Sequence, residues 1–216
     1  MAEIIFVSNA RLSFPHLAEP QKQTDKITGN SRLTYNCDLI LEPNSPAIQE
    51  FMARFHAIAV EKWQENANNA MQQIQANRKQ RCYGAGEEKV NSTTFQPRGG
   101  YQGKVYISAS NKNMPQMIQQ DGRPADPANT MACQAVARKM YGGCYINAAI
   151  KPWIQQNDTG IGIRCDLIAV QFFADGEAFG EGAADASAMF GAVAAPAAGV
   201  PTAAGMPFPA FLGLPQ

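Results

Sequence analysis

The chain has 216 residues, 45% of them hydrophobic and 17% charged, which suits one ordinary globular domain with an appendage or two small domains. Lys and Arg together number 18, and Asp and Glu together number 18, so net charge carries no information about partners. No apolar run approaches the roughly 18 to 20 residues of a membrane helix, and Met1-Ala2-Glu3-Ile4 lacks a basic leader, so a soluble cytoplasmic chain that contacts no membrane is expected.

In chain order, Glu3 to Phe14 is rich in Ile, Phe and Val, and Leu33, Tyr35, Cys37, Leu39 and Leu41 alternate with other residues. Both segments read as strands, joined by the polar stretch Glu19 to Ser31. Asn44-Ser45-Pro46 then offers a cap and a proline at the first helical position. Ile48, Phe51, Met52, Phe55, Ile58 and Ala59 follow at three-and-four spacing and predict an amphipathic helix reaching about residue 79. Val105, Ile107 and Ala109 alternate with Lys104, Tyr106 and Ser108 as a half-buried strand. A second alternation sets Cys144, Ile146, Ala148 and Ile150 toward the core and Tyr145, Asn147, Ala149 and Lys151 away from it. A last strand spans Ile161 to Phe173, before the turn Ala174-Asp175-Gly176-Glu177. Five strand regions with Gly-rich turns point to a mainly β barrel or sandwich.

From Glu181 to Gln216 the character changes: of 36 residues, 12 are Ala, 5 Gly and 5 Pro. Such a segment cannot bury enough apolar surface to order itself, so the expected division is a folded body, 1–180, and a disordered tail, 181–216. Phe208, Phe211 and Leu212 are its candidate partner-binding anchors.

Catalytic chemistry has little to work with. Cys37, Cys82, Cys133, Cys144 and Cys165 form no CxxC pair, and His16 and His56 are the only imidazoles. Neither a metal nor a cofactor is expected. Gly99 to Val105 imitates a phosphate loop, but Arg98 stands where its first glycine belongs and Val105 cannot coordinate magnesium. Glu87-Glu88 are adjacent acids flanked by basic residues, a poor start for a two-metal nuclease. Between residues 76 and 112, by contrast, seven basic residues face only these two acids.

Basic and aromatic residues interleave through Tyr101, Lys104, Tyr106, Lys112, Tyr141, Tyr145, Lys151, Trp153 and Arg164. Single-stranded nucleic acid is bound by this chemistry, with bases stacking on rings while cations track phosphates. The candidate site is Tyr106, Tyr145 and Trp153 for stacking, and Lys104, Lys112, Lys151 and Arg164 for phosphates, with Arg98 and Arg11 beside them. A core role for each aromatic stays open at this point, as does a carboxylate partner for Arg11. A metal-dependent nuclease and a virion-associated structural protein remain the rival classes.

Three blocks add a resemblance. Asn9-Ala10-Arg11-Leu12-Ser13-Phe14-Pro15-His16-Leu17-Ala18-Glu19-Pro20, Tyr141-Gly142-Gly143-Cys144-Tyr145-Ile146-Asn147-Ala148, and Gly160-Ile161-Gly162-Ile163-Arg164-Cys165-Asp166-Leu167 come in order, followed by Val170-Gln171 and Asp175-Gly176-Glu177. Together, over residues 4–182, they resemble the bacteriophage single-stranded DNA-binding protein family. The resemblance implies a five-stranded OB-fold Greek-key barrel with the helix inserted after the second strand, similar in architecture to the T7-type replication proteins. It also implies a non-enzymatic role in coating single-stranded DNA during phage replication, recombination and repair, in the cytoplasm of the infected bacterium. Replication proteins of phage or host would be met through the tail, and a homodimer stays open. The tail departs from the acidic, aromatic-ended pattern, since it holds only Glu181 and Asp185 as acids.

Overall fold

A computed structural model describes residues 4–24, 31–157 and 160–179. The tail, with Phe208, Phe211 and Leu212, lies outside the described residues. In chain order the elements are β1 (Ile5–Thr24), β2 (Ser31–Leu41), α1 (Pro46–Trp63), a 3-10 turn (Gln64–Asn66), α2 (Ala67–Ala76), β3 (Tyr83–Ala85), a 3-10 turn (Gly86–Glu88), β4 (Val105–Asn111), β5 (Gln116–Ile118), α3 (Thr130–Ala137), β6 (Tyr145–Asn157) and β7 (Gly160–Ala174). The strands form one seven-stranded sheet in the order β3-β4-β2-β1-β6-β7-β5, not closed into a continuous ladder. The sequence leads to five strand regions. The two additions, β3 and β5, are three residues each, too short to display an alternation. All pairings are antiparallel except β5 with β7.

The first strand runs on to Thr24, ten residues beyond the end its sequence pattern suggests, because it serves two neighbours. Ile5 to Arg11 pairs with β6, and Arg11 to Thr24 pairs with β2. Bulges break the register between Val7 and Ala10 and between Ser13 and His16, with Asn9 and Phe14 at φ 52° and 49°. Bulges of this kind bend a strand and re-aim its side chains.

Ser45 Oγ accepts from the Ile48 amide and Pro46 occupies the first turn of α1, as the cap signal predicts. Ile48, Phe51, Phe55 and Ala59 form its buried stripe, and the rings of Phe51 and Phe55 pack on Tyr83 at centroid distances of 5.5 and 6.1 Å. The predicted single helix breaks at Gln64, whose φ of 49° lies outside helical space. The physical reason is the loss of the apolar stripe: Gln64, Glu65 and Asn66 bury nothing, and burial resumes only at Ala67, Ala70 and Ile74 in α2. One face of the sheet supplies the core, with Ile5, Val7, Leu12, Leu39, Ile107, Ile146, Ile150 and Leu167 fully shielded. All five cysteines are free and buried.

The opposite, outer face of the sheet carries a buried charge. Asp38 is 5% exposed. Lys89 Nζ lies 2.7 Å from one of its carboxylate oxygens. The Tyr101 hydroxyl donates to the carboxylate at 2.7 Å, and so does Ser108 Oγ–H. These contacts tie residues 86–104 down across β2 and β4. The approach is close, since the Gly86 amide donates to Lys104 O at 2.7 Å and a side chain at Gly86 would collide with the Tyr101 carbonyl. Tyr101 and Tyr106 stand edge to face at 6.3 Å, beside Ile40 and Phe179.

Two outcomes follow from this packing. Replacing Lys89 with Met leaves Asp38 buried without its cation, and stability should fall by about 3 kcal/mol. Adding Asp38→Asn to Lys89→Met should recover part of the loss; urea melts of the two variants check this, and an unchanged Lys89→Met midpoint would contradict it.

The second concerns pH. Burial raises the thiol pKa of Cys37, Cys82 and Cys165, Cys82 to about 12, and that of Cys144 to about 11. An unfolded thiol titrates near about 8.5. Above that pH the unfolded chain releases protons that the folded chain retains, so stability is full below it and drains as pH rises toward the folded values. Each such thiol should cost about 1.4 kcal/mol per pH unit over that window. Melting temperature should therefore fall steadily from pH 8.5 to 11, and a flat profile would contradict the burial.

Candidate nucleic-acid interface

Period-two alternation places Tyr145, Asn147, Ala149, Lys151 and Trp153 of β6 on the outer face, away from the buried Ile146, Ala148 and Ile150. Cross-strand register puts Trp153 opposite Arg164 and Lys151 opposite Asp166. The Trp153 indole N–H donates to Asp166 Oδ1 at 2.8 Å while the residue stays 38% exposed. The ring is therefore held in orientation at the surface. Lys151, Trp153 and Arg164 come together as one cross-strand patch. Tyr145 lies on the same face of the same strand, eight residues and about 26 Å from Trp153.

Arg164 is half-buried. Its Nε donates to Gln155 Oε1 at 2.6 Å, Nη2 to Lys79 O at 2.9 Å and Nη1 to Ile163 O at 3.3 Å. All three acceptors are neutral. Burial, and then the neighbouring Arg32 charge, pull its pKa below the ordinary value.

The remaining predicted residues fall elsewhere. Tyr106 is 4% exposed, with Lys89 Nζ 4.2 Å from its ring centroid on one side and Tyr101 packed edge-on. The expectation that Tyr106 stacks on bases is corrected by this placement, because residues 86–104 cover the strand face on which alternation sets it. Lys104 is committed to Glu42 at 2.6 Å. Arg98 lies 4.9 Å over the Phe14 ring, which is 42% exposed. Lys112 is exposed just beyond β4. Arg11, directly across from Tyr145, donates to Gly143 O and to Glu177 O at 2.8 Å and stacks 4.3 Å over Phe179. It clasps the segment after β7, using backbone carbonyls rather than a carboxylate.

Phe6 was missed. It sits on the outer face opposite Ala149 and is 62% exposed. Its position between buried Ile5 and Val7 was a readable signal, but no basic neighbour drew attention to it. The outer face of β1, β6 and β7 thus offers Phe6, Trp153 and Tyr145 as separate rings, with Lys151 and Arg164 as cations beside Trp153. Among the described residues no three His, Cys, Asp or Glu side chains are placed to hold a metal, and no helix is long and apolar enough to cross a membrane.

Comparison with known proteins follows the same lines. The family described as Enterobacter phage Enc34, ssDNA-binding protein, matches residues 3–198. The p50 protein of Acyrthosiphon pisum secondary endosymbiont phage 1 is 32% identical over 177 residues, covering 81% of this chain and 85% of that one. Among solved structures, the single-stranded DNA-binding protein from bacteriophage Enc34 in complex with ssDNA superposes with a TM-score of 0.61 at 23% identity, covering 82% of this chain and 89% of that one. The structure of the same protein described without ssDNA gives 0.59 at 24% identity, with coverage of 85% and 88%. The two structures speak for the fold, and the family match spans most of the sequence: the chain belongs to the Enc34-type phage ssDNA-binding protein family, a family of binding proteins rather than enzymes.

Proposed function

We propose that this chain coats single-stranded DNA without sequence preference, through stacking on the outer face of β6 and β7 and phosphate contacts beside it. One observation carries the reading: Trp153 is fixed at the surface by Asp166, with Lys151 and Arg164 next to it. An exposed indole held rigid loses little entropy when a base stacks on it, and the two cations supply the backbone attraction. Family membership supports the same reading.

The finer architecture is read as an OB-type barrel built from β1, β2, β4, β6 and β7. Its closing side would lie between β7 on one hand and β4 with the segment before β3 on the other, where Asn111 Nδ2 donates to Leu167 O at 3.2 Å and the Ile163 amide donates to Gln80 O at 2.7 Å. Service in phage replication, recombination and repair in the host cytoplasm is part of the proposal. So is a division into a body, 1–180, and a tail whose Phe208, Phe211 and Leu212 dock on replication proteins. Arg11, Arg98, Lys104 and Lys112 are assigned outlying phosphate contacts at most, since the first three already have partners within the fold.

Titration of poly(dT) followed by tryptophan fluorescence tests the reading. The two cations of the patch imply a log-log salt slope of about −1.4, and each outlying cation that engages a phosphate adds about −0.7. Trp153→Ala should weaken binding at every salt concentration by about 1 to 3 kcal/mol with the slope kept, and Lys151→Ala should reduce the slope by about 0.7. Salt-insensitive binding by the wild type, or Trp153→Ala binding at full strength, would overturn it. Cleavage of the oligonucleotide with magnesium would favour a nuclease instead.

A further inference from the structure

In β1, Leu12 is buried in the core and Ser13 pairs with Asp38 on the outer side, so strict alternation would bury Phe14 beside Leu12. The bulge between Ser13 and His16 prevents this, and Phe14 takes a φ of 49° and stays 42% exposed. Two rules of backbone sterics are broken at once. A residue with a Cβ is disfavoured at positive φ, and a residue before proline, here Pro15, is pushed toward extended backbone. Strain of this kind persists where surrounding structure holds it, and it concentrates at positions that meet a ligand.

The ring is turned toward the segment that covers the outer face. Arg98, from residues 86–104, lies with its guanidinium 4.9 Å from the ring centroid. Its own amide donates to Lys89 O at 2.8 Å, so the cation is delivered from backbone tied to the residue that Asp38 anchors. Phe95 is the other exposed phenylalanine at positive φ, 55°, but among the described residues Phe14 is the one of the two with a cation over it. An exposed ring held by a planar guanidinium gives an unpaired base a π-face to stack on, with cation–π attraction added. The location is continuous with the proposed binding face. Arg11 pairs with Tyr145, the first residue of β6, and Phe14 lies three residues farther along β1, away from Trp153. A single strand running from Trp153 along β6 would pass Tyr145 and meet Phe14 next.

We propose that Phe14 is a second base-stacking platform for single-stranded DNA, held in orientation by Arg98, at the end of the outer face remote from Trp153. The assignment rests on the reading that this chain binds single strands, and it adds a ring that the sequence pattern marked only as part of a strand. Arg98 is a positioning residue. Its guanidinium is taken up by the Phe14 ring, and it acts on the base through that ring.

The test compares wild type, Phe14→Gly, Phe14→Tyr, Arg98→Gln and the Phe14→Gly/Arg98→Gln double variant. Each is melted in urea and titrated with a dT oligonucleotide of about 16 nucleotides over a range of sodium chloride concentrations. Tryptophan fluorescence reads them all, since Trp63 and Trp153 are kept. Glycine accepts a φ of 49° without strain, so Phe14→Gly should hold its urea midpoint while binding about ten-fold more weakly at every salt concentration, with the slope kept. Phe14→Tyr keeps the ring and should bind as the wild type does. Arg98→Gln should weaken binding with the slope kept, and should add nothing in the Phe14→Gly background. Should Phe14→Gly melt early, Phe14→Leu replaces it, with the same ten-fold loss expected because bulk remains and the π-face is gone. Full-strength binding per folded molecule by Phe14→Gly or Phe14→Leu, or a ten-fold loss in Phe14→Tyr, would overturn the stack. A slope loss of about 0.7 on adding Arg98→Gln to Phe14→Gly would put Arg98 on a phosphate and overturn its positioning role. Loss of self-association by Phe14→Gly in sedimentation, with DNA affinity kept, would make the ring a protein contact and overturn the proposal as well. Failure of the wild type to bind would overturn the functional reading itself.

Discussion

The outer face of this sheet is organised by one buried carboxylate. Asp38 cannot stand charged beneath residues 86–104 unless a cation and donors meet it there, and Lys89, Tyr101 and Ser108 do so. Since Lys89 and Tyr101 both belong to the covering segment, satisfying the carboxylate and covering β2 and β4 are the same event. The cover then has an edge. Phe179 fills the space beside Gly100 and under Arg11, and farther along β6 the outer-face residues Tyr145 to Lys151 are half-buried while Trp153 is 38% exposed. Which outer-face aromatic is covered is thus decided at Asp38, on a strand that carries none of the proposed stacking rings.

The three sequence blocks that carry the family resemblance meet at this edge. Arg11 comes from the first block, Gly143 from the second and Glu177 from the last, and the guanidinium of Arg11 joins the carbonyls of the other two. Tyr141 adds its hydroxyl, which donates to the carbonyl of Gly176 and accepts from its amide. Gly143 has φ 110°, and a Cβ there would run into the Glu177 carbonyl, so the crossing needs glycine on both counts. These blocks are a clasp that holds the end of β7 against the start of β6. Their shared presence marks a fold, while Trp153, the proposed stacking residue on which the functional reading rests, lies outside all three.

Period two made the core strands legible. The predicted core positions Cys144, just before β6, and Ile146, Ala148 and Ile150 within it are all shielded, because a strand alternates regardless of what lies around it. Alternation tells one face from the other but does not say whether another segment will cover the second face, which is why Tyr106 and Trp153 looked alike in sequence and ended at 4% and 38% exposure. The break at Gln64 was half-visible: the weakening stripe beyond Trp63 was in plain view, yet it reads equally as a continuing solvent-facing helix. α3 left less signal, since its eight residues bury Cys133 alone.

Counting charges along the chain misdirects in the same way. The most basic stretch, residues 76–112, loses most of its cations to the fold: Arg78 and Arg81 face Glu88, Lys89 holds Asp38, and Lys104 holds Glu42. A cation spent on a carboxylate releases few counterions when a phosphate arrives, because the protein has already neutralised it. β6 and β7 contain far fewer basic residues, but the Asp166 carboxylate there is engaged by the Trp153 indole, and Arg164 meets only neutral acceptors. The proposed attraction for a polyanion thus follows the charge left over after internal pairing, not the places where basic residues are most numerous. In a chain whose formal charges sum to zero, that residue-by-residue remainder is what the proposed DNA-binding face has to draw on.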